Sequence, residues 1–277
     1  MSNTSTDQLT AINAGGEAML YKVKDHVATI TFNRPEQQNT ISGVMLNKLS
    51  EMLLAADQDA DVRAIIVTGT GKFFCAGLDL RGSDITNNLA DKKRRSPTTL
   101  DLRNTPPTVL HNIDTPTIAA LNGSAAGYGM DLALGCDIRI MADNAKLAAA
   151  FTARGVVPES GGTWILPRLI GWSKASEIIF TGKTLIASEC EEMGLVSHVV
   201  NTNEVDARAL EMAEQIAAMA PLAVQSSKRM MRMSMNETFN DHVHHVFLQL
   251  LPLFQSDDFK EGMESFMEKR EADFKGQ

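Results

Sequence analysis

The chain has 277 residues, of which 44% are hydrophobic and 22% charged, and its formal net charge is -8. This composition is typical of a globular protein with a large core, and it excludes a wholly disordered or fibrous chain. The acidic balance argues against nucleic acid as a partner, because phosphate binding needs a concentrated basic face. No apolar run reaches the roughly 18 residues of a membrane span, so we expect no membrane partner.

The number of cysteines and the composition of residues 1–16 bear on the cellular compartment. The three cysteines, Cys75, Cys136 and Cys190, have no metal-ligand spacing. An odd count in a chain of this size fits a reducing compartment better than a disulfide framework. Residues 1–16 lack the basic start and apolar block of a signal peptide. We therefore expect a flexible tail over residues 1–16, no metal site and a cytoplasmic location.

The first third of the chain alternates between strand and helix patterns. Residues 18–24 and 26–32 show β-rich alternation and predict two strands. A helix is predicted from Val44 to about Ala56, and the apolar residues 63–71 predict a buried strand. Residues 82–104 are polar and predict a mobile loop or weak helix.

The rest of the chain divides into an α/β part and a helical part. Residues 115–123 predict a strand, GYGMDLAL predicts a helix with Asp131 in its first turn, and DIRIMA and AKLAAAF predict short strands. After Gly161 the pattern becomes helical, with segments at 222–234, 237–250 and 256–270 and one apolar face formed by Val205, Ala209, Met212, Ile216 and Met219. We expect an α/β catalytic core over residues 17–200 and a helical C-terminal region over 201–277.

Two glycine-rich segments need an explanation other than nucleotide binding. GTGKFFCAG lacks the Ser or Thr that ends a P-loop, and GSAAGYG lacks the GxGxxG of a dinucleotide-binding turn. Two turns remain, at residues 75–80 and 125–131, where small residues let the backbone approach a ligand. Two backbone N–H groups aimed at one oxygen form an oxyanion hole. Tight packing of the turns would explain the same small residues.

Several polar side chains have both a structural and a functional interpretation. Asp131 falls where a helix dipole favours a carboxylate, and Glu159 falls in a turn, where a solvated acid is ordinary. His242 and His245 share a helix face, but no further ligand completes a metal site. The run KKRR at residues 92–95 is either a solvated loop or a phosphate site.

Five segments carry a family resemblance, and they occur in the order ITFNRPEQQNTIS, GTGKFFCAGLDL, ALNGSAAGYGMDLALGCDIRI, GVVPESGGTWILPRLIGWSKASEIIFTGKTLIASECEEMGLVSHVV and SDDFKEGMESFMEKREADFKG. Over about residues 18–275 the chain resembles the crotonase (enoyl-CoA hydratase/isomerase) superfamily. The resemblance implies an α/β fold built as a spiral of ββα units, with a helical C-terminal trimerisation region. It also implies a homotrimer or a hexamer made of two trimers. The substrate would be an acyl-CoA thioester, and no cofactor is expected, because coenzyme A is part of that substrate.

The same resemblance assigns catalytic roles. It implies that the amides of Leu78 and Tyr128 hold the thioester oxygen. Asp131 stands where hydratases carry their first glutamate, whereas Phe151 stands where they carry the second. Glu159 matches the acid of isomerases in the superfamily. We expect Glu159 and Asp131 to move protons in double-bond isomerisation or hydration; the alternative is a crotonase-fold acyl-CoA or β-diketone hydrolase, or a C–C bond lyase.

Coenzyme A contacts are also implied by the resemblance. The segment containing Ala76, Asp79 and Leu80 matches the path of adenine and pantetheine. Arg34, Lys72 and the KKRR run are the candidates for neutralising phosphates. Phe266 and Lys269 match a region that can contact the coenzyme A of a neighbouring subunit, although helical packing would explain Phe266 equally well.

Overall fold

The computed structural model describes residues 18–80 and 103–277. The predicted tail at 1–16, the KKRR run and most of the predicted loop at 82–104 lie outside these residues. The described strands are β1 (Met19–Lys24), β2 (Val27–Phe32), β3 (Ala64–Gly69), β4 (Phe73–Cys75), β5 (Thr117–Leu121), β6 (Ser124–Ala126), β7 (Ile138–Ala142), β8 (Lys146–Ala148), β9 (Thr184–Ile186) and β10 (His198–Val200).

The helices connect these strands and then continue alone to the C-terminus. They are α1 (Gly43–Gln58), α2 (Pro106–Asn112), α3 (Tyr128–Gly135), α4 (Gly162–Ile170), α5 (Trp172–Thr181), α6 (Ala187–Glu192), α7 (Val205–Ala217), α8 (Pro221–Ser234), α9 (Phe239–Leu253) and α10 (Asp257–Glu268). In this part of the chain, no helix combines the length and the apolar character needed to cross a membrane.

The strands form two sheets. The larger has the order β1-β2-β3-β5-β7-β10 and the smaller the order β4-β6-β8-β9. The strands β1 and β2 form the antiparallel edge of the larger sheet, joined by Asp25 and His26, whose φ angles are 49° and 66°. Two central residues with positive φ suit the twist of a two-residue hairpin. The prediction of two strands here is confirmed.

The chain passes three times from the larger sheet to the smaller one. Each of the pairs β3/β4, β5/β6 and β7/β8 places its first strand in the larger sheet and its second in the smaller one. The strands β4, β6 and β8 are parallel neighbours. Their carboxyl ends therefore lie at one edge, where the chain leaves the smaller sheet. The turns at residues 75–80 and 125–131, which the sequence singles out, lie at this edge because they begin at the ends of β4 and β6.

Helix α7 covers β2, β3, β5 and β7 of the larger sheet. Its buried residues are Val205, Ala209, Ala213 and Ala217, a stripe with a spacing of four whose small side chains let helix and sheet approach closely. The predicted apolar face is therefore only partly correct. Met212 and Ile216 are half-buried, and Met219 lies beyond the helix end and is exposed.

Two strands appear where the sequence predicts only helix. Thr184–Ile186 pairs with β8, and His198–Val200 pairs with β7. Each has three residues, too short for an alternation pattern to stand out from its helical neighbours. The helices predicted at 222–234, 237–250 and 256–270 are present, with ends that differ from the prediction by at most three residues. Helix α9 contains no buried residue in the single chain.

Candidate active site

A cavity of about 400 Å³ opens at the shared carboxyl edge of β4, β6 and β8. Four segments form its wall: the turn before α1, the residues after β4, the start of α3, and the stretch between β8 and α4. The residues that line it are Glu36, Gln37, Gln38, Thr40, Ala76, Gly77, Leu78, Asp79, Leu80, Gly127, Tyr128, Ala150, Phe151, Arg154, Val156 and Glu159. Leu78, Tyr128 and Glu159, which the sequence places up to 81 residues apart, thus share one cavity.

The amide of Leu78 has no acceptor among the residues that the structure describes. The Ile41 amide donates to the Gly77 carbonyl at 2.9 Å, and the Asp79 amide donates to the Ile41 carbonyl at 2.9 Å. Because successive N–H groups of extended backbone point to opposite sides, the Leu78 N–H points away from Ile41. The Leu78 N–H donates to no residue within 18–80 or 103–277.

The amide of Tyr128 lies beside this segment. Tyr128 is the first residue of α3, so its N–H has no acceptor within the helix, and it has none elsewhere among the described residues. A Cβ atom built on Gly77 would lie 2.9 Å from the Ala126 carbonyl oxygen and 3.7 Å from the Tyr128 nitrogen. Gly77, with φ of 103°, thus lets the two turns meet. Two backbone N–H groups on adjoining turns, without an acceptor among the described residues, can both donate a hydrogen bond to one oxyanion.

Asp131 is buried behind the cavity wall, with 2% of its surface exposed. Its Oδ2 accepts hydrogen bonds from the Ser160 hydroxyl at 2.9 Å and from the Gly162 amide at 3.1 Å. Burial raises the pKa of Asp131 to about 7, although both hydrogen bonds lower it. Asp131 is not among the residues that line the cavity. Its carboxyl group holds the turn that carries Glu159.

Glu159, the acid of this turn, lines the cavity. It precedes Ser160 and two glycines, of which Gly161 has φ of 98° and Gly162 begins α4. Partial burial raises the pKa of Glu159 above its ordinary value. A carboxylate with a raised pKa is a better base at neutral pH, as general acid–base catalysis requires. Glu159 therefore has both the position and the basicity to exchange a proton with a ligand in the cavity.

Phe151 forms an apolar part of the wall, close to Gly127, which precedes Tyr128. It is buried, and its Cε1 atom lies 4.0 Å from the position of a Cβ atom built on Gly127. An aromatic ring here offers no hydrogen bond to a water molecule. The cavity therefore lacks, at this position, a polar group that could hold water.

The expected coenzyme A contacts divide between the cavity and the surface. Ala76, Asp79 and Leu80 line the cavity. Arg34 lies behind them and is already engaged, because its Nη2 pairs with the Asp79 carboxylate at 3.0 Å and its Nη1 donates to the Thr40 carbonyl at 2.8 Å. Its charge is therefore partly compensated before any phosphate binds.

The other expected contacts lie away from the cavity of the single chain. Lys72 is exposed in the turn between β3 and β4. Phe266, 81% exposed, and Lys269 lie on and just after α10. None of these three residues lines the cavity. The contact expected for Phe266 and Lys269 is with the coenzyme A of a neighbouring subunit, whereas that expected for Lys72 is with the phosphates.

Some residues of the site and its surroundings are not singled out by the sequence. Ser160 and Gly162 fix Asp131, and Arg154 and Val156 add to the cavity wall. Glu237 accepts hydrogen bonds from both His242 and His245, at 3.2 and 3.0 Å, so this histidine pair has a carboxylate partner. Even so, the described residues include no group of three or more histidine, cysteine or acidic side chains arranged to hold a metal ion.

Comparison with known proteins identifies the family. The family model for enoyl-CoA hydratase/isomerase matches residues 22–277. The protein YngF of Bacillus subtilis, named as an enoyl-CoA hydratase/isomerase, is 36% identical over 266 residues, which are 94% of this chain and 99% of YngF. The 2,3-dehydroadipyl-CoA hydratase of Escherichia coli is 33% identical, covering 91% of this chain and 96% of that protein.

Solved structures agree with this assignment. The enoyl-CoA hydratase of Bacillus anthracis superposes with a TM-score of 0.84 at 32% identity, covering 94% of this chain and all of the other. The fold expected from the sequence, a crotonase-type α/β spiral followed by helices, is confirmed. The chain is an enzyme that belongs to the enoyl-CoA hydratase/isomerase family, the crotonase superfamily.

Proposed function

We propose that this enzyme moves the double bond of an enoyl-CoA thioester, with Glu159 as the group that removes and returns the proton. The observation that carries this proposal is the shared cavity, which Glu159 lines together with Leu78 and Tyr128, two residues whose amides donate to no acceptor among the described residues. Family membership supports the acyl-CoA substrate.

The mechanism follows from these groups. The carboxylate of Glu159 takes a proton from the carbon next to the thioester of a 3-enoyl-CoA. The electron pair delocalises over the double bond and the thioester, and the oxygen takes the negative charge. The amides of Leu78 and Tyr128 stabilise that charge. The protonated Glu159 then returns the proton at the γ carbon, which leaves a 2-enoyl-CoA and restores the carboxylate.

Two features favour isomerisation over hydration. Hydration requires a water molecule activated beside the double bond, and Phe151 presents a ring at the position where hydratases are expected to carry a second glutamate. Asp131, the other expected acid, has its Oδ2 occupied by Ser160 and Gly162. We assign Asp131 the role of a positioning residue, which keeps the Glu159 turn in place.

We further propose that the enzyme works as a homo-oligomer, a trimer or a hexamer. Helix α9 buries none of its residues in the single chain, although it carries Phe239, Phe247 and Leu248, which are all exposed. An apolar surface of this kind marks an interface. Contacts of Phe266 and Lys269 with coenzyme A would then come from a neighbouring subunit.

The proposal is tested by NMR of the purified enzyme with 3-hexenoyl-CoA and, separately, with crotonyl-CoA, both in deuterated water. We expect 2-hexenoyl-CoA, with deuterium at the γ carbon in those turnovers in which the proton on Glu159 exchanges with the solvent before it is returned. Glu159→Gln should lower the rate at least 100-fold, within the range known for loss of a general base. Glu192→Gln, which removes an exposed carboxylate on α6, is the matched control and should retain the wild-type rate.

Each other product would identify a different reaction. A 3-hydroxyacyl-CoA formed from crotonyl-CoA would make the enzyme a hydratase and refute the assignment of Phe151. Release of a free acid or of two shorter products would favour the hydrolase or lyase alternative. Turnover that Glu159→Gln leaves intact would refute the role of Glu159.

A further inference from the structure

The side chain of Tyr128 has no role in the mechanism above, which uses only the amide of this residue. Tyr128 nevertheless lines the cavity, and the residue is only 7% exposed. Its hydroxyl group makes no hydrogen bond with another residue of the described chain. Tyr128 therefore supplies an unused hydrogen-bond donor near Glu159, another residue of the cavity wall.

The groups around the phenol do not serve as its partner. The Oδ2 atom of Asp131 already accepts two hydrogen bonds, and Glu159 makes no hydrogen bond with Tyr128. Burial, followed by the nearby charges of Glu159, Cys75 and Asp131, raises the pKa of the Tyr128 phenol. The hydroxyl group thus keeps its proton at physiological pH and remains a donor.

Such a donor affects which acyl groups bind well. In the empty cavity, water can satisfy the hydroxyl group. An acyl group that fills the cavity displaces that water, and a purely hydrocarbon acyl group would leave the donor without an acceptor. Buried tyrosine hydroxyl groups usually find a partner, because an unsatisfied one is unfavourable. A site that contains such a donor discriminates strongly against ligands that lack the matching acceptor.

We propose that the Tyr128 phenol donates a hydrogen bond to an oxygen atom of the acyl group, beyond the thioester. The preferred substrates are then enoyl-CoA thioesters whose acyl group carries a hydroxyl, carbonyl or ether oxygen. The thioester oxygen itself is assigned to the amides of Leu78 and Tyr128, so the phenol serves a second acceptor. This inference rests on the proposed function of the site and specifies its substrate class.

The test compares substrates that differ in one oxygen. The values of kcat/KM are measured for 3-hexenoyl-CoA and for its 5-hydroxy and 6-hydroxy derivatives, with the wild-type enzyme and with Tyr128→Phe. The substitution keeps the ring and the amide and removes only the hydroxyl group. We expect the wild-type enzyme to prefer at least one hydroxylated substrate by about tenfold, and Tyr128→Phe to abolish that preference, as loss of one hydrogen bond predicts.

The chain offers a matched control, because it has only two tyrosines. Tyr21 lies on β1 and does not line the cavity. Tyr21→Phe should keep the wild-type preference. Circular dichroism and the oligomeric state of both variants show whether either substitution disturbs the fold.

The outcomes separate this inference from the proposed function. An equal loss on all three substrates in Tyr128→Phe would mean that the phenol acts on a shared part of the substrate or on Glu159, and would overturn the inference. A wild-type enzyme without preference for either hydroxylated substrate would overturn it as well. In both cases, loss of turnover in Glu159→Gln would still support the proposed isomerase. Survival of turnover in Glu159→Gln would instead refute the isomerase itself.

Discussion

The burial of Asp131 predicts an unusual dependence of stability on pH. The pKa of this carboxyl group is raised from 3.8 to about 7 in the folded chain. Between these two values the unfolded chain has released the proton and the folded chain still holds it. The folded state therefore binds more protons, and stability from this group falls as pH rises from about 4 to 7. Above pH 7 the group is ionised in both states and the effect levels off.

The magnitude follows from the shift. A difference of about three pKa units corresponds to about 4 kcal/mol of unfolding free energy. Asp131→Asn removes the titrating group and keeps an oxygen that can accept from Ser160 and Gly162. The variant should thus gain stability relative to the wild type as pH rises, by up to about 4 kcal/mol between pH 4 and pH 8.

The assay is urea unfolding of both proteins at pH 4, 5, 6, 7 and 8, at one protein concentration. All other titrating groups are common to the two proteins, so their contributions cancel in the difference of the unfolding free energies. A difference that grows up to pH 7 and is constant above it would support the reasoning. Parallel pH profiles, or a gain toward low pH, would show that Asp131 ionises normally in the folded protein.

Two further predictions concern packing. A Cβ atom at Gly162 would lie 2.2 Å from Oδ1 of Asp131, so Gly162→Ala should destabilise the fold by about 1–3 kcal/mol and lower turnover. At Gly135 the nearest contact of a Cβ atom would be 3.5 Å away, with Leu110, so the control Gly135→Ala should have little effect. Thermal unfolding and activity assays compare the two variants, and equal behaviour would contradict this prediction. Phe247→Asp places a charge on the exposed apolar face of α9, and sedimentation should show smaller species than for the wild type, unless this face is not an interface.

The sequence predicts much of the fold because the central strands are long enough to show a pattern. The residues of β3 and β5 are almost all buried, and both strands read as uninterrupted apolar runs. The strands β9 and β10 are not predicted, because a strand of three residues is too short to show the alternation of apolar and polar side chains. The stripe on α7 is predicted only in part, because the fully buried positions include the small Ala213 and Ala217, whereas the larger Met212 and Ile216 are half-buried at the edge of the core.

The candidate site is predicted in part for a similar reason. Glycines and acids stand out in the sequence, and the resemblance gives Leu78, Tyr128 and Glu159 their expected roles. The residues that hold the cavity wall in place do not stand out in the sequence. Asn39, with φ of 55°, donates to the carbonyls of Thr70 and Phe73 and so fixes the wall before α1. Partners up to 34 residues away are set by tertiary structure, which no local pattern encodes.

The proposed use of main-chain amides as oxyanion donors has a consequence for how this active site can diversify. Any residue except proline supplies an N–H group, so substitutions at positions 78 and 128 leave the donors in the chain. The side chain at position 128 can therefore vary in size and polarity while the machinery for enolate chemistry is retained. With the two proposed roles of Tyr128, selectivity for the acyl group and stabilisation of the enolate would be separable within one residue, and a library of substitutions at position 128 would be a direct route to altered substrate range.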